Sequence, residues 1–238
     1  MHILLAPDSF KESLSAKQVA EALKKGFQEA LPDATFDLLP IGDGGEGTME
    51  TLARVLNVTE YQTQVTGPFG QPVLMSYYQK DEMAFFELAS LVGLGSIPAE
   101  KRNPLELETR GIGELILQLV DQGVKTICVG IGGSATNDGG IGMAAGLGVA
   151  FYDDQDHLLR PVGASLGRVA RIDTSAVPNA LQDIDLQVLT DVTNPLCGSQ
   201  GATYVFGGQK GLNPLLFPAV DQAMKDFYQL VDARILSM

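Results

Sequence analysis

The sequence holds no tryptophan, two cysteines and two histidines among 238 residues. Two thiols, Cys128 and Cys197, cannot build a disulfide framework. Both lie among apolar or glycine-rich neighbours, as reduced cytosolic thiols do. His2 and His157 stand apart from every glycine-rich loop, which argues against a His-based nucleophile and against a zinc site. Positive charge is scarce as well: 16 Lys and Arg against 29 Asp and Glu give 16 − 29 = −13. Such a surface repels nucleic acid and anionic lipid. A small anion remains a fitting ligand, because a local cluster of donors can hold one despite the net charge. No apolar run approaches the roughly 20 residues of a membrane-spanning helix. The opening segment, Met1-His2-Ile3-Leu4-Leu5-Ala6-Pro7-Asp8, has no basic n-region and meets an aspartate at once. It is a poor signal peptide, and a cytoplasmic location is expected. Disorder is excluded by a hydrophobic fraction of 45% spread along the chain.

Against these shortages stand 27 glycines, 17 of them in residues 42–47, 130–140, 142–148 and 198–211. They follow no collagen-like period and no internal repeat. They read as punctuation, at loops where backbone must come close to something. Residues 2–6 form an apolar run stopped by Pro7 and read as a buried strand. Ser15-Ala16-Lys17-Gln18 fits a capping box. Behind it Val19, Leu23, Phe27 and Leu31 recur on one helical face, which stops at Pro32-Asp33. Residues 35–39 predict a second strand and residues 48–56 a second, shorter helix. That order predicts parallel strands joined by right-handed crossovers.

The pattern then changes. Thr59, Tyr61, Thr63 and Val65 alternate, residues 67–72 form a turn, and Lys80-Asp81-Glu82 joins the runs 73–79 and 83–88, which predicts antiparallel pairing. Farther on, Ile112, Leu115, Ile116, Leu119 and Val120 keep a helical period closed by Gly123. Residues 126–131, 149–152 and 186–190 predict strands. A last helix carries Val220, Met224, Phe227, Val231 and Ile235 on one face, with Pro218 in its first turn. This stripe is expected to need a cover from further sequence.

Three loops each follow a predicted strand, the place where α/β domains bind ligands. They are Pro7-Asp8-Ser9-Phe10-Lys11-Glu12-Ser13, Gly42-Asp43-Gly44-Gly45-Glu46-Gly47-Thr48, and residues 130–140 with Gly132, Gly133, Ser134, Thr136, Asn137 and Asp138. Free amides and a helix dipole there suit an anion, and the third run has more small residues than a plain turn needs. None is a Walker A loop, and the 130–133 stretch lacks the last glycine of a dinucleotide fingerprint. A fourth segment, Asp191-Val192-Thr193-Asn194-Pro195, places Asp191 at a strand end, as a general base, a Mg²⁺ ligand or a turn residue. A fifth holds Lys210 between glycines, suited to a phosphate or to solvent.

These loops, together with Val65-Thr66-Gly67-Pro68, Glu100-Lys101-Arg102-Asn103-Pro104-Leu105 and Gly113-Glu114-Leu115-Ile116, resemble the bacterial glycerate kinases of the glycerate 2-kinase type, in order over nearly the whole chain. The resemblance implies ATP- and Mg²⁺-dependent phosphorylation of D-glycerate, at the 2-hydroxyl to give 2-phosphoglycerate. A 3-phosphorylating kinase or an inactive anion-binding fragment are the alternatives. It implies an α/β fold with a Rossmann-like parallel-sheet domain, incomplete here over residues 1–65, and a second mixed α/β domain over residues 66–238. Members of the family continue past residue 238 with a Thr-Gly-Glu-Gly-type loop that closes the first domain and lines the cleft. The chain alone is therefore expected to self-associate, or to be less stable than the complete form, and to have weak or no kinase activity.

The roles follow residue by residue. Lys11 and Ser9 are expected near the substrate or the transferred phosphoryl group, and Asp191 as the base, with Asp43 and Asp8 behind it. Gly44, Gly45, Gly132, Gly133, Ser134, Thr136, Asn137, Asn194 and Lys210 are expected to bind substrate or phosphate, and Asp138 and Glu46 to hold Mg²⁺. Glycerate and ATP are the expected partners, without nucleic acid or membrane, and a homo-oligomer is left open.

Overall fold

Ser15 starts the first helix: its hydroxyl accepts the Gln18 N–H at 3.3 Å while the Gln18 side chain accepts the Ser15 N–H at 2.9 Å. This reciprocal cap begins α1 (Ala16–Ala30). The computed structural model describes residues 1–10, 13–42, 48–49, 53 and 58–235. Helix α1 lies between β1 (His2–Leu5) and β2 (Thr35–Leu38), which pair in parallel, His2 with Thr35 through Leu5 with Leu38. The expected order holds, but β1 is not a buried strand. Only Leu5 is buried, and Leu4, Leu38, Leu23 and Phe27 are exposed, because a two-stranded sheet and one helix cannot cover one another on every side. Of the helix expected over 48–56, Thr48, Met49 and Ala53 are helical and buried, and the rest lies outside the described residues.

A five-stranded mixed sheet carries the main core. Its order is β3 (Thr59–Thr66), β4 (Pro72–Lys80), β5 (Met83–Glu87), β6 (Thr126–Gly130) and a final strand, Asp185–Leu189. The hairpin connections make β3–β4 and β4–β5 antiparallel, and the crossovers make the remaining pairs parallel. A four-residue helix, α2 (Ala89–Val92), follows β5. The long crossover holds α3 (Arg110–Asp121), whose Ile112, Leu115, Ile116 and Leu119 bury one sheet face with Met75, Phe86, Ile127 and Val129. On the opposite face Phe85 and Cys128 meet Met49. Each of these helical leucines and isoleucines is worth about 1.5–3 kcal/mol of burial.

Helix α3 packs on α4 (Ile141–Gly146) at backbone distance. A Cβ on Gly113 would stand 2.1 Å from the Met143 carbonyl oxygen, and one on Gly146 2.2 Å from that of Arg110. Small residues at both contact points let the two helices hold the glycine-rich loop between them.

After α4 the chain builds a second, smaller core. Strand β7 (Ala150–Tyr152) does not join the main sheet. It pairs antiparallel with β8 (Arg171–Asp173), a strand that periodicity did not reveal. The strand Asp185–Leu189 is thus β9, at one edge of the main sheet. After α5 (Ala202–Phe206), α6 (Phe217–Ile235) lays Met224 and Phe227 against Ile141, Phe151, Leu159 and Leu166. This corrects the expectation of an uncovered stripe: Val220, Met224 and Phe227 are buried, because residues 141–166 fold back over them. Among the described residues no helix is long and apolar enough to cross a membrane.

Candidate functional site

The third loop leaves β6 at Gly130, beside the end of β5, where the Leu88 N–H donates to the Gly130 carbonyl at 2.8 Å. It is then held along its length. Leu94 N–H donates to the Gly133 carbonyl at 2.9 Å, Ala135 N–H to that of Val92 at 2.7 Å, and Asn137 N–H to that of Pro104 at 3.0 Å. Gly133 and Gly140 sit at φ 70° and 76°, in the left-handed region that other residues rarely adopt. Among the described residues, no hydrogen bond uses the amides of Gly132, Gly133 or Ser134. A run of unused amides on a fixed loop at a strand end offers donors of the kind that suit an anion.

One cation reaches this loop from far along the chain. Lys210, in the turn after α5, donates from Nζ to Ser134 Oγ at 3.0 Å and to the Thr136 carbonyl at 2.7 Å. Burial lowers its pKa to about 8, and the nearby Asp138 carboxylate opposes that shift. The turn is seated by Gly211 at φ 92°, where a Cβ would stand 2.6 Å from the Arg102 carbonyl oxygen. Arg102 in turn donates to the carbonyls of Ile97 and Leu94, so the segment behind the loop is itself braced.

Asp138 turns inward. Its carboxylate accepts Thr109 Oγ1–H at 2.5 Å, the Gly140 N–H at 3.2 Å and the Gly142 N–H at 3.4 Å. Burial raises its pKa, and these donors lower it in part. Such a carboxylate caps the start of α4 and binds the loop to α3 through Thr109, whose hydroxyl also accepts the Met143 N–H at 2.9 Å. The expected Mg²⁺ role does not fit it, since its oxygens already serve three internal donors. Among the described residues no three His, Cys, Asp or Glu side chains converge. Asn137 donates from Nδ2 to Thr203 Oγ1 at 3.0 Å, and the Tyr228 hydroxyl donates to the Gly139 carbonyl at 3.0 Å. Asn137 thereby ties the loop to α5.

The structure thus brings together Gly132, Gly133, Ser134, Thr136, Asn137, Asp138 and Lys210 from the expected set. The first loop leaves β1 with Asp8 exposed and its carboxylate accepting the Ser9 N–H at 2.6 Å. The pairing of β1 and β2 continues to Ile41 N–H on the Pro7 carbonyl at 3.0 Å, so the first and second loops depart side by side. Lys11, Asp43, Gly44, Gly45 and Glu46 lie outside the described residues. Asp191 and Asn194 are exposed beyond β9, and Asn194 donates its amide to the Gln200 carbonyl at 3.0 Å, closing its own turn. No hydrogen bond or ion pair among the described residues joins Asp8, Ser9, Asp191 or Asn194 to the Lys210 cluster.

Sequence reasoning missed Thr109, Thr203 and Glu87. Thr109 had a legible signal, a threonine directly before a helical period. Nothing local marked it as the donor to Asp138, 29 residues away. A cavity of about 590 Å³ lined by Asp153, His157 and Arg168 shares no lining residue with the glycine-rich loops.

The family model described as "Glycerate kinase family" matches residues 3–238. The chain is 54% identical over 238 residues to the glycerate kinase of Neisseria meningitidis serogroup B (strain MC58), covering 100% of this chain and 64% of that protein. It is 43% identical over 233 residues to the glycerate 2-kinase of Escherichia coli K12, covering 97% of this chain and 61% of that protein. A crystal structure from Salmonella typhimurium LT2, of a protein provisionally named glycerate kinase 2, superposes with a TM-score of 0.79 at 43% identity, covering 97% of this chain and 63% of that one. The chain therefore spans less than two thirds of the length of these relatives. With a family model matched over residues 3–238, the chain belongs to the glycerate kinase family.

Proposed function

We propose that the protein is a kinase that transfers the γ-phosphoryl group of ATP to D-glycerate, at the 2-hydroxyl. The observation that carries this reading is the Lys210 ammonium held on the glycine-rich loop beside unused amides. Phosphoryl transfer asks little covalent chemistry of a protein. It asks for alignment, for charge neutralisation, and for a group to take the hydroxyl proton. The 130–140 loop and Lys210 supply fixed donors to an anion, either the phosphate chain or the glycerate carboxylate.

Asp191 lies beyond the carboxyl end of β9, exposed and able to accept a proton, and is the base in this reading. Lys11 and Ser9 of the first loop face the transferred group, with Asp8 and Asp43 as supporting carboxylates. Gly44 and Gly45 add amides from the second loop. Mg²⁺ would fall to Glu46, and would neutralise charge on the phosphate oxygens. The β1–β2 unit represents one domain of a Rossmann-like kind, and the five-stranded sheet the other. The 2-hydroxyl assignment leans on the relative named glycerate 2-kinase.

The test is ATP consumption by the purified chain with D-glycerate, with phosphorus NMR of the product. Glycerate-dependent turnover giving the 2-phosphate is the expected result. A 3-phosphate product overturns the position, and no glycerate-dependent turnover, either by this chain or by one extended to the length of its relatives, overturns the kinase reading.

A further inference from the structure

Glu87 is a buried carboxylate that the reaction above does not use. It is the last residue of β5 and lies in register with Gly130, the last residue of β6, where the 130–140 loop begins. Strand alternation puts Glu87 on the face of Phe85 and Cys128, which is the face that Met49 covers. There Glu87 Oε1 accepts the Met49 main-chain N–H at 2.7 Å. Met49 follows Thr48, which is buried and meets the other end of its own loop: a Cβ on Gly42 would stand 2.3 Å from Thr48 Oγ1. Both ends of the 42–48 segment therefore touch, and their junction is tied to the sheet beside the root of the 130–140 loop.

Moving a carboxylate out of water is expensive unless it is hydrogen-bonded. An apolar side chain would pack against Phe85 and Met49 without that penalty. The carboxylate offers what such a residue cannot, a fixed orientation through a charge-assisted bond to the Met49 main-chain amide. We propose that Glu87 is a positioning residue, which sets the foot of the 42–48 loop against the foot of the 130–140 loop so that both act on one pair of substrates. Its effect on turnover rests on the kinase reading, whereas the contact itself does not.

The test uses Glu87→Ala and Glu87→Gln in the full chain, since the glutamine keeps an acceptor oxygen for Met49. Glu87→Ala should speed hydrogen exchange of the Met49 amide by roughly tenfold or more and lower kcat/KM for glycerate by a similar factor, for the loss of one hydrogen bond to a charged group. Glu87→Gln should hold both within about threefold, as a neutral bond replaces a charged one. Equal loss of turnover in the two variants would mean that the charge itself takes part in the reaction, and would overturn a positioning role. Unchanged exchange and turnover in Glu87→Ala would overturn it too. Should Glu87→Ala fail to fold, Glu87→Asp, one methylene short of its partner, replaces it with the same expected losses. If the unaltered chain does not turn over glycerate, Met49 exchange alone decides this proposal.

Discussion

Lys210 Nζ lies 2.7 Å from the Thr136 carbonyl oxygen, across 74 residues of sequence. The contact brings a cation to a loop whose one charged side chain is the inward-turned Asp138, in a chain with net charge −13. It also sets the pH at which the loop has that charge.

Burial lowers the Lys210 pKa from 10.5 to about 8, so the charge is present below that pH and lost above it. ATP affinity, measured by titration calorimetry between acidic and alkaline pH, should fall as pH rises through about 8. Lys210→Met should weaken binding by roughly tenfold or more, as expected for a charge-assisted bond, and should flatten the pH dependence. The stability slope has the opposite sense. Between the folded and unfolded pKa values the unfolded chain holds more protons, so stability should rise with pH across that window. A pH-independent affinity would remove Lys210 from the anion site.

Thr109 donates to Asp138 and accepts from Met143, and Thr109→Val removes both bonds at nearly constant volume. The loss should be about 2–4 kcal/mol, because a buried carboxylate keeps its desolvation penalty after losing a donor. Thermal denaturation should show a Tm lowered by roughly 5–15 °C for a chain of this size. Thr109→Ser, which keeps the hydroxyl, should recover most of it. Near wild-type stability in Thr109→Val would mean that Asp138 is held by its amide donors alone.

Asp191→Asn should lower kcat far more than it raises KM, since a base acts on the proton in flight. Steady-state kinetics over both substrates will show it. A raised KM with an unaltered kcat would instead make Asp191 a binding or turn residue. Lys11→Ala, by contrast, should abolish turnover while the thermal transition stays in place.

Leu186 and Val188 are exposed on β9, in register with the buried Ile127 and Val129. Helix α3 covers this face over β6, and among the described residues no strand pairs with the outer side of β9. Sedimentation velocity should show concentration-dependent self-association. Leu186→Lys with Val188→Lys should weaken it by at least roughly tenfold, from the burial value of two aliphatic side chains. A monodisperse monomer of the unaltered chain at every concentration would count against this edge as a sticky surface.

What the sequence determined by itself is the set of elements whose cause is local. The Ser15 capping box, the α3 period from Ile112 to Val120, the hairpin turns and the loop glycines at positive φ are each decided within about one turn or one strand pair. The placing of glycine-rich loops at strand ends was legible for the same reason. Only the tertiary structure decided the rest. It removed Asp138 from the metal set by turning it toward Thr109, and it seated Lys210 on Ser134 and Thr136. It made Glu87 a link between two loops, and it covered Val220, Met224 and Phe227 with residues 141–166. A buried charge takes its role from whichever donors the packed chain brings within hydrogen-bond reach, and those partners lie 29 to 76 residues away. No periodicity within one helix or strand encodes such a distance.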